Sequence, residues 1–139
     1  TDVAYFLSLS LTTEVRRSNE IALLTAYWAH LVTGNGSTSD GDVTAASYPF
    51  ELCLANFQLA LVYVSRTWLV GGTGMTNDSE RGGLLLTANL ARFFATFADW
   101  NTGPALRAML ARGSRQPTVE EARDVLPARV LAAISRPKL

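Results

Sequence analysis

Histidine, cysteine and lysine occur once each in this chain of 139 residues. With His30 alone, no metal site needing two imidazoles and no Glu-x-x-His pair can be built. His30 lies in the apolar run 21–32, where a structural role is expected rather than that of a base. Cys53 excludes an internal disulfide, and its apolar neighbours assign it to packing. No Gly-x-Ser-x-Gly elbow is present, so serine-nucleophile chemistry has no signature either. These absences predict a chain that is not an enzyme, with no cofactor, metal or small-molecule substrate. Charge is scarce as well, at 17% against the usual quarter, while 48% of residues are apolar. So little charge predicts surface buried against partners. The longest strongly apolar uncharged run, 52–65, is shorter than the ~20 residues that span a bilayer, so no transmembrane segment is expected. No cationic stretch precedes the first apolar run, so no signal peptide is expected and the default location is cytoplasmic.

What the chain has is arginine. Eleven of its twelve basic residues are Arg, and their placement is uneven. Residues 1–80 carry three basic groups against eight acidic ones, and residues 81–139 carry nine against four. A net charge of zero therefore hides an acidic half and a basic half. Either the halves pair with each other or with a neighbouring subunit, or the basic half faces a polyanion.

Turn-rich punctuation and apolar periodicity predict a single all-α domain over 1–139, a bundle of four to six helices. The opening residues 3–11 read either as helix or as an extended arm, an arm that would cover 1–12, and 3–11 are the segment expected to reach a neighbour. Helical spacing runs through 13–33, and the polar stretch 34–42 breaks it. Pro49, with Ser47 as a cap, opens the apolar run 50–70. Residues 84–100 follow as a second core helix, with Leu84, Leu85, Phe94 and Phe97 facing inward. A short helix over 105–112 stops at Gly113, and Thr118 with Glu121 has capping-box spacing before a last helix that Pro127 should split.

Other motifs are weaker. Gly71-Gly72-Thr73-Gly74 lacks the third glycine of a dinucleotide fingerprint and follows a helix, so it reads as a C-cap and loop. Glu120, Glu121 and Asp124 occupy the first turns of a helix, where acids complement the dipole. Asn35-Gly36-Ser37 and Asn77-Asp78-Ser79 match the glycosylation sequon in loop context. Arg16, Arg17, Arg107, Arg112 and Arg115 are the candidate phosphate contacts, reading backbone rather than bases. The competing reading for them is salt bridges and solvated surface.

The stretch Gly103-Pro104-Ala105-Leu106-Arg107-Ala108-Met109-Leu110-Ala111 resembles a segment near the C-terminus of major capsid proteins of filamentous archaeal viruses, of the rudivirus and lipothrixvirus type. There too a helix leads into Gly-Pro-Ala-Leu, a turn, and a last apolar helix ending near a proline. The resemblance covers about the last 55 residues. It implies a small helical virion subunit that pairs with a like or sister subunit and wraps double-stranded DNA into a helical filament. Residues 1–11 lack the basic arm of rudivirus members, so the phosphate contacts would fall to Arg16, Arg17 and the C-terminal arginines. Two other classes stand beside this expectation. One is a helical enzyme or ligand-binding domain with an apolar pocket near Trp28, Trp68 and Trp100. The other is a protein–protein adaptor that binds no nucleic acid.

Overall fold

A computed structural model describes residues 2–34, 43–71 and 80–135, with the side chains of 68–71 and 80 left aside. The described residues are all-α: α1 (Asp2–Tyr5), a π-helical turn (Phe6–Ser10), α2 (Thr13–Thr33), α3 (Phe50–Gly71), α4 (Glu80–Asp99), α5 (Thr102–Arg112), α6 (Val119–Val125) and α7 (Ala128–Ile134). The seven α-helices described exceed the expected four to six because the opening residues add α1 to the six that the expected split at Pro127 already allowed. Residues 35–42, with the first sequon, lie outside the described residues. So do 72–79, with the rest of the glycine loop and the second sequon, and the Trp68 side chain.

The centre is α3. Leu54, Phe57, Leu61 and Val64 recur at three- and four-residue spacing and are all buried. Around them gather Ala4, Leu7, Leu9, Leu24, Phe93, Trp100, Leu126 and Val130 from every other helix except α5, which adds buried Ala105. Trp100 is fully buried and meets Phe57 edge-on, with centroids 4.6 Å apart.

Of the two forms open to residues 2–10, helix and extended arm, the chain takes the helix. Their alternation looks strand-like, but α1 and the π-helical turn sink Ala4, Leu7, Ser8 and Leu9 into the core. Arg92 then donates to the Leu9 carbonyl at 3.1 Å, pinning the turn to α4. A correction concerns α4, where Phe93 and Thr96, with Trp100 just past its end, are buried rather than the expected Leu84, Leu85 and Phe94. Leu84 is 67% exposed, Leu85 54% and Phe94 60%, and no described side chain of α4 before Phe93 is buried.

Local signals explain most boundaries. Thr12 accepts the Val15 N–H to open α2. The Thr118 hydroxyl accepts the Glu121 N–H at 3.2 Å while the Glu121 carboxylate accepts the Thr118 N–H at 2.8 Å, completing the capping box of α6. Gly113, at φ +70°, caps α5 through its N–H to the Met109 carbonyl. Asn101 takes the left-handed conformation between α4 and α5, φ 47°, which Asn tolerates better than most residues. Ser47 does not cap α3. Its hydroxyl accepts the Thr44 N–H instead.

Candidate functional site

Two features stand out: an ionic cluster where α2, α4 and α7 meet, and the poorly covered outer half of α2.

The cluster grows from Glu20, which is completely buried on α2. One turn earlier, Arg16 Nη1 donates to Glu20 Oε2, and Trp100 Nε1 donates to the same oxygen at 3.1 Å. Arg129, at the start of α7, donates through Nη1 to Glu20 Oε1. Arg16 Nη2 reaches across to Asp99 at the end of α4. Arg17 grips the same carboxylate with two bonds, Nε to Oδ2 at 2.7 Å and Nη2 to Oδ1 at 3.0 Å. Arg129 Nε also donates to the Asp99 carbonyl at 3.2 Å, and its guanidinium stands 5.6 Å from the centroid of the Trp100 ring. Burial pushes the Asp99 carboxyl up, but the hydrogen bonds from Arg17 and Arg16 outweigh it and hold the group below its ordinary value.

The five candidate arginines fall into two groups. Arg16 and Arg17 share Asp99 at the start of α2, and Arg16 is only 1% exposed with its donors turned inward. Arg107, Arg112 and Arg115 belong to α5 and its exit. Arg115 engages Glu121 through two nitrogens, and that pairing, with the Thr118 N–H, holds the Glu121 carboxyl down to about 2. Arg112 Nε donates to the Arg115 carbonyl at 2.7 Å. Arg107 is exposed and lies back over Gly103, with no hydrogen-bond partner among the described residues. At 100° per residue, Arg107 and Arg112 point about 140° apart on α5, so the helix presents no single row of guanidiniums.

The acidic and basic halves do pair. Arg129 with Glu20, Arg123 with Glu51, and Arg16 and Arg17 with Asp99 all join one half to the other. Arg129, Glu20 and Asp99 carry this arrangement; sequence reasoning counted Arg129 only among the C-terminal arginines and gave Glu20 and Asp99 no role. Their only sequence signal is three charged residues beside otherwise apolar helical stripes.

On α2 the buried residues are Arg16, Glu20 and Leu24, a single row at four-residue spacing that ends halfway along the helix. Beside it runs a second row at the same spacing, Leu23, Tyr27 and Leu31, which is uncovered, each residue about 40% exposed. A second face carries small residues. Ala22, Thr25, Ala26 and Ala29, with Phe50 and Ile134, line an apolar groove of about 720 Å³ open to solvent. Trp28 forms one edge, fixed by its Nε1 donating to the Tyr48 carbonyl at 2.8 Å and by contact with Phe50 at 5.4 Å between centroids. Trp100 is remote in kind, being core, and takes no part in the groove. His30 is exposed on this half of the helix. Cys53 is buried with its thiol pushed up by that burial, as a packing residue should be.

Among the described residues no cluster of His, Cys, Asp and Glu could hold a metal ion, and no helix is long and apolar enough to cross a membrane. Comparison of the chain with family models, with curated proteins and with solved structures finds no match in any of the three.

Proposed function

We propose that this chain is a non-catalytic structural subunit that self-assembles with like or sister subunits. The observation that supports this best is α2: from Ile21 to Thr33 it carries no Asp, Glu, Lys or Arg, yet Leu23, Tyr27 and Leu31 face solvent. A surface helix of a monomer normally turns charge outward. The large residues form a ridge and the alanines a groove, about 130° apart at 100° per residue. A ridge on one copy therefore seats in the groove of the next while leaving its own groove free. Such a head-to-tail contact propagates into a ring or a helical filament, unlike a two-fold contact.

The same reading makes the assembly a capsid or nucleoprotein filament of the archaeal-virus type, which would locate it in a virion. Double-stranded DNA would be held by its backbone. The ion pairs narrow the contacts available for that role: Arg107, Arg112 and the outer edges of Arg17 and Arg115 remain accessible, whereas Arg16 is committed inside. The groove also favours a second reading, an apolar ligand or a helix of another protein in place of a second copy.

Size-exclusion chromatography with light scattering, read with absorbance at 260 nm, tests these together. Assembly above the monomer that takes up duplex DNA with a steep salt dependence supports the whole proposal. Assembly without nucleic acid removes the DNA part, and a monomer at all concentrations removes the self-assembly reading.

A further inference from the structure

We propose that Arg17 and Arg129, clamped on either side of Asp99, form an oxyanion site that takes a phosphate group where α2, α4 and α7 meet. Three guanidiniums (Arg16, Arg17, Arg129) share two carboxylates (Glu20, Asp99), so the hydrogen-bonded cluster carries one uncompensated positive charge. Arg16 cannot present that charge outward, being 1% exposed. The Arg17 and Arg129 side chains can, at 55% and 39% exposure.

Each of the two also keeps a donor in reserve. Arg17 gives Nε and Nη2 to Asp99, leaving Nη1 without a protein partner among the described residues. Arg129 gives Nη1 to Glu20 and Nε to the Asp99 carbonyl, leaving Nη2. Both forks are held in place by bonds they already make, and Trp100 backs Arg129. The rotamer entropy that usually weakens surface arginine–anion contacts has largely been lost on folding. The spare groups are all N–H donors, so the site suits an oxyanion and rejects a cation. Asp99 opposes an incoming anion, but four donors converge on that one residue, three of them on its carboxylate, and the surplus charge remains. Arg66 offers the contrast, exposed and without a partner among the described residues to orient it.

The natural source of the phosphate group rests on the DNA-facing reading above; the site itself does not. The test uses the full chain, ¹⁵N-labelled, in phosphate-free low-salt buffer, with the arginine Nε–H resonances followed by NMR. Inorganic phosphate is titrated first, then a duplex of arbitrary sequence. Saturable shifts at Arg17 and Arg129, with Arg66 unmoved, are expected from phosphate. Arg17→Gln should raise the phosphate Kd about ten-fold, the loss of one charge-assisted hydrogen bond. Should that variant misfold by circular dichroism, the wild-type contrast between Arg17, Arg129 and Arg66 decides alone. No saturable shift, or an equal shift at Arg66, overturns the site. Matching shifts from the duplex identify a phosphodiester as the source. Shifts from inorganic phosphate only leave the site standing and remove DNA from the proposed function.

Discussion

Glu20 is the residue on which the interior depends most. It is fully buried and accepts from Arg16, Arg129 and Trp100, so its removal leaves buried Arg16 with Asp99 alone and takes the acceptor from the Trp100 indole N–H. Glu20→Gln keeps the shape and deletes the charge, and should cost about 3–5 kcal/mol in denaturant unfolding, the range for breaking one side of a buried pair. A loss under about 1 kcal/mol would mean the cluster contributes little. Carboxyls held low add stability that is complete above their unfolded values and disappears as pH falls through the folded ones. For Glu121 that window runs from 4.5 down to about 2, and Asp99 adds to it in the same direction below 3.8. Thermal midpoints should therefore fall with acidification below about pH 4.5. In Arg115→Gln the fall should be shallower, with the gap from wild type widest above pH 4.5 and closing near pH 2. The charge split showed only that the halves could pair, not which residues would do so. Glu20 and Arg129 lie 109 residues apart, and an isolated charge on an apolar stripe looks the same whether it is solvated or bridged.

At the scale of helices, signals that act within one turn were legible and choices between faces were not. The capping box at Thr118, the break at Pro127 and the stop at Gly113 all depend on neighbours within four residues. Thr118→Ala should accordingly destabilise by about 1 kcal/mol, measured by chemical denaturation, and fray α6 without moving the core. The stripe of α3 was readable because its apolar residues are continuous whichever face is chosen. In α4, Leu84 and Phe94 are as apolar as Phe93 and Trp100, so periodicity alone could not choose. The choice is made by distant partners: Glu20 takes the Trp100 N–H, and Phe57 takes its ring. The opening residues stayed open between helix and arm for a related reason. The alternation of Phe6, Leu7, Ser8, Leu9 and Ser10 suits an extended strand, but a π-helical turn buries Leu7, Ser8 and Leu9 side by side.

For the whole molecule the decisive question is whether copies join head to tail. Tyr27→Glu blocks the ridge and leaves the groove, whereas Ala26→Glu blocks the groove and leaves the ridge. Each variant alone should be monomeric by light scattering, and an equimolar mixture should form dimers that grow no further. A two-fold arrangement of the same face would give no such complementation, and full-length assembly by either variant alone would exclude α2 as the contact.

Gln58 sets the order in which this architecture can form. From the middle of α3 its amide nitrogen reaches the carbonyls of Trp100, Asn101 and Val125, closing loops of 42, 43 and 67 residues. The bends after α4 and α6 are short and local, yet what fastens them is a side chain from far upstream. Loop-closure entropy is spent before those bonds reward it, so the C-terminal helices stay provisional until α3 arrives. The last third of the chain should thus mature late in folding, as a lid latched from inside rather than a module that forms first.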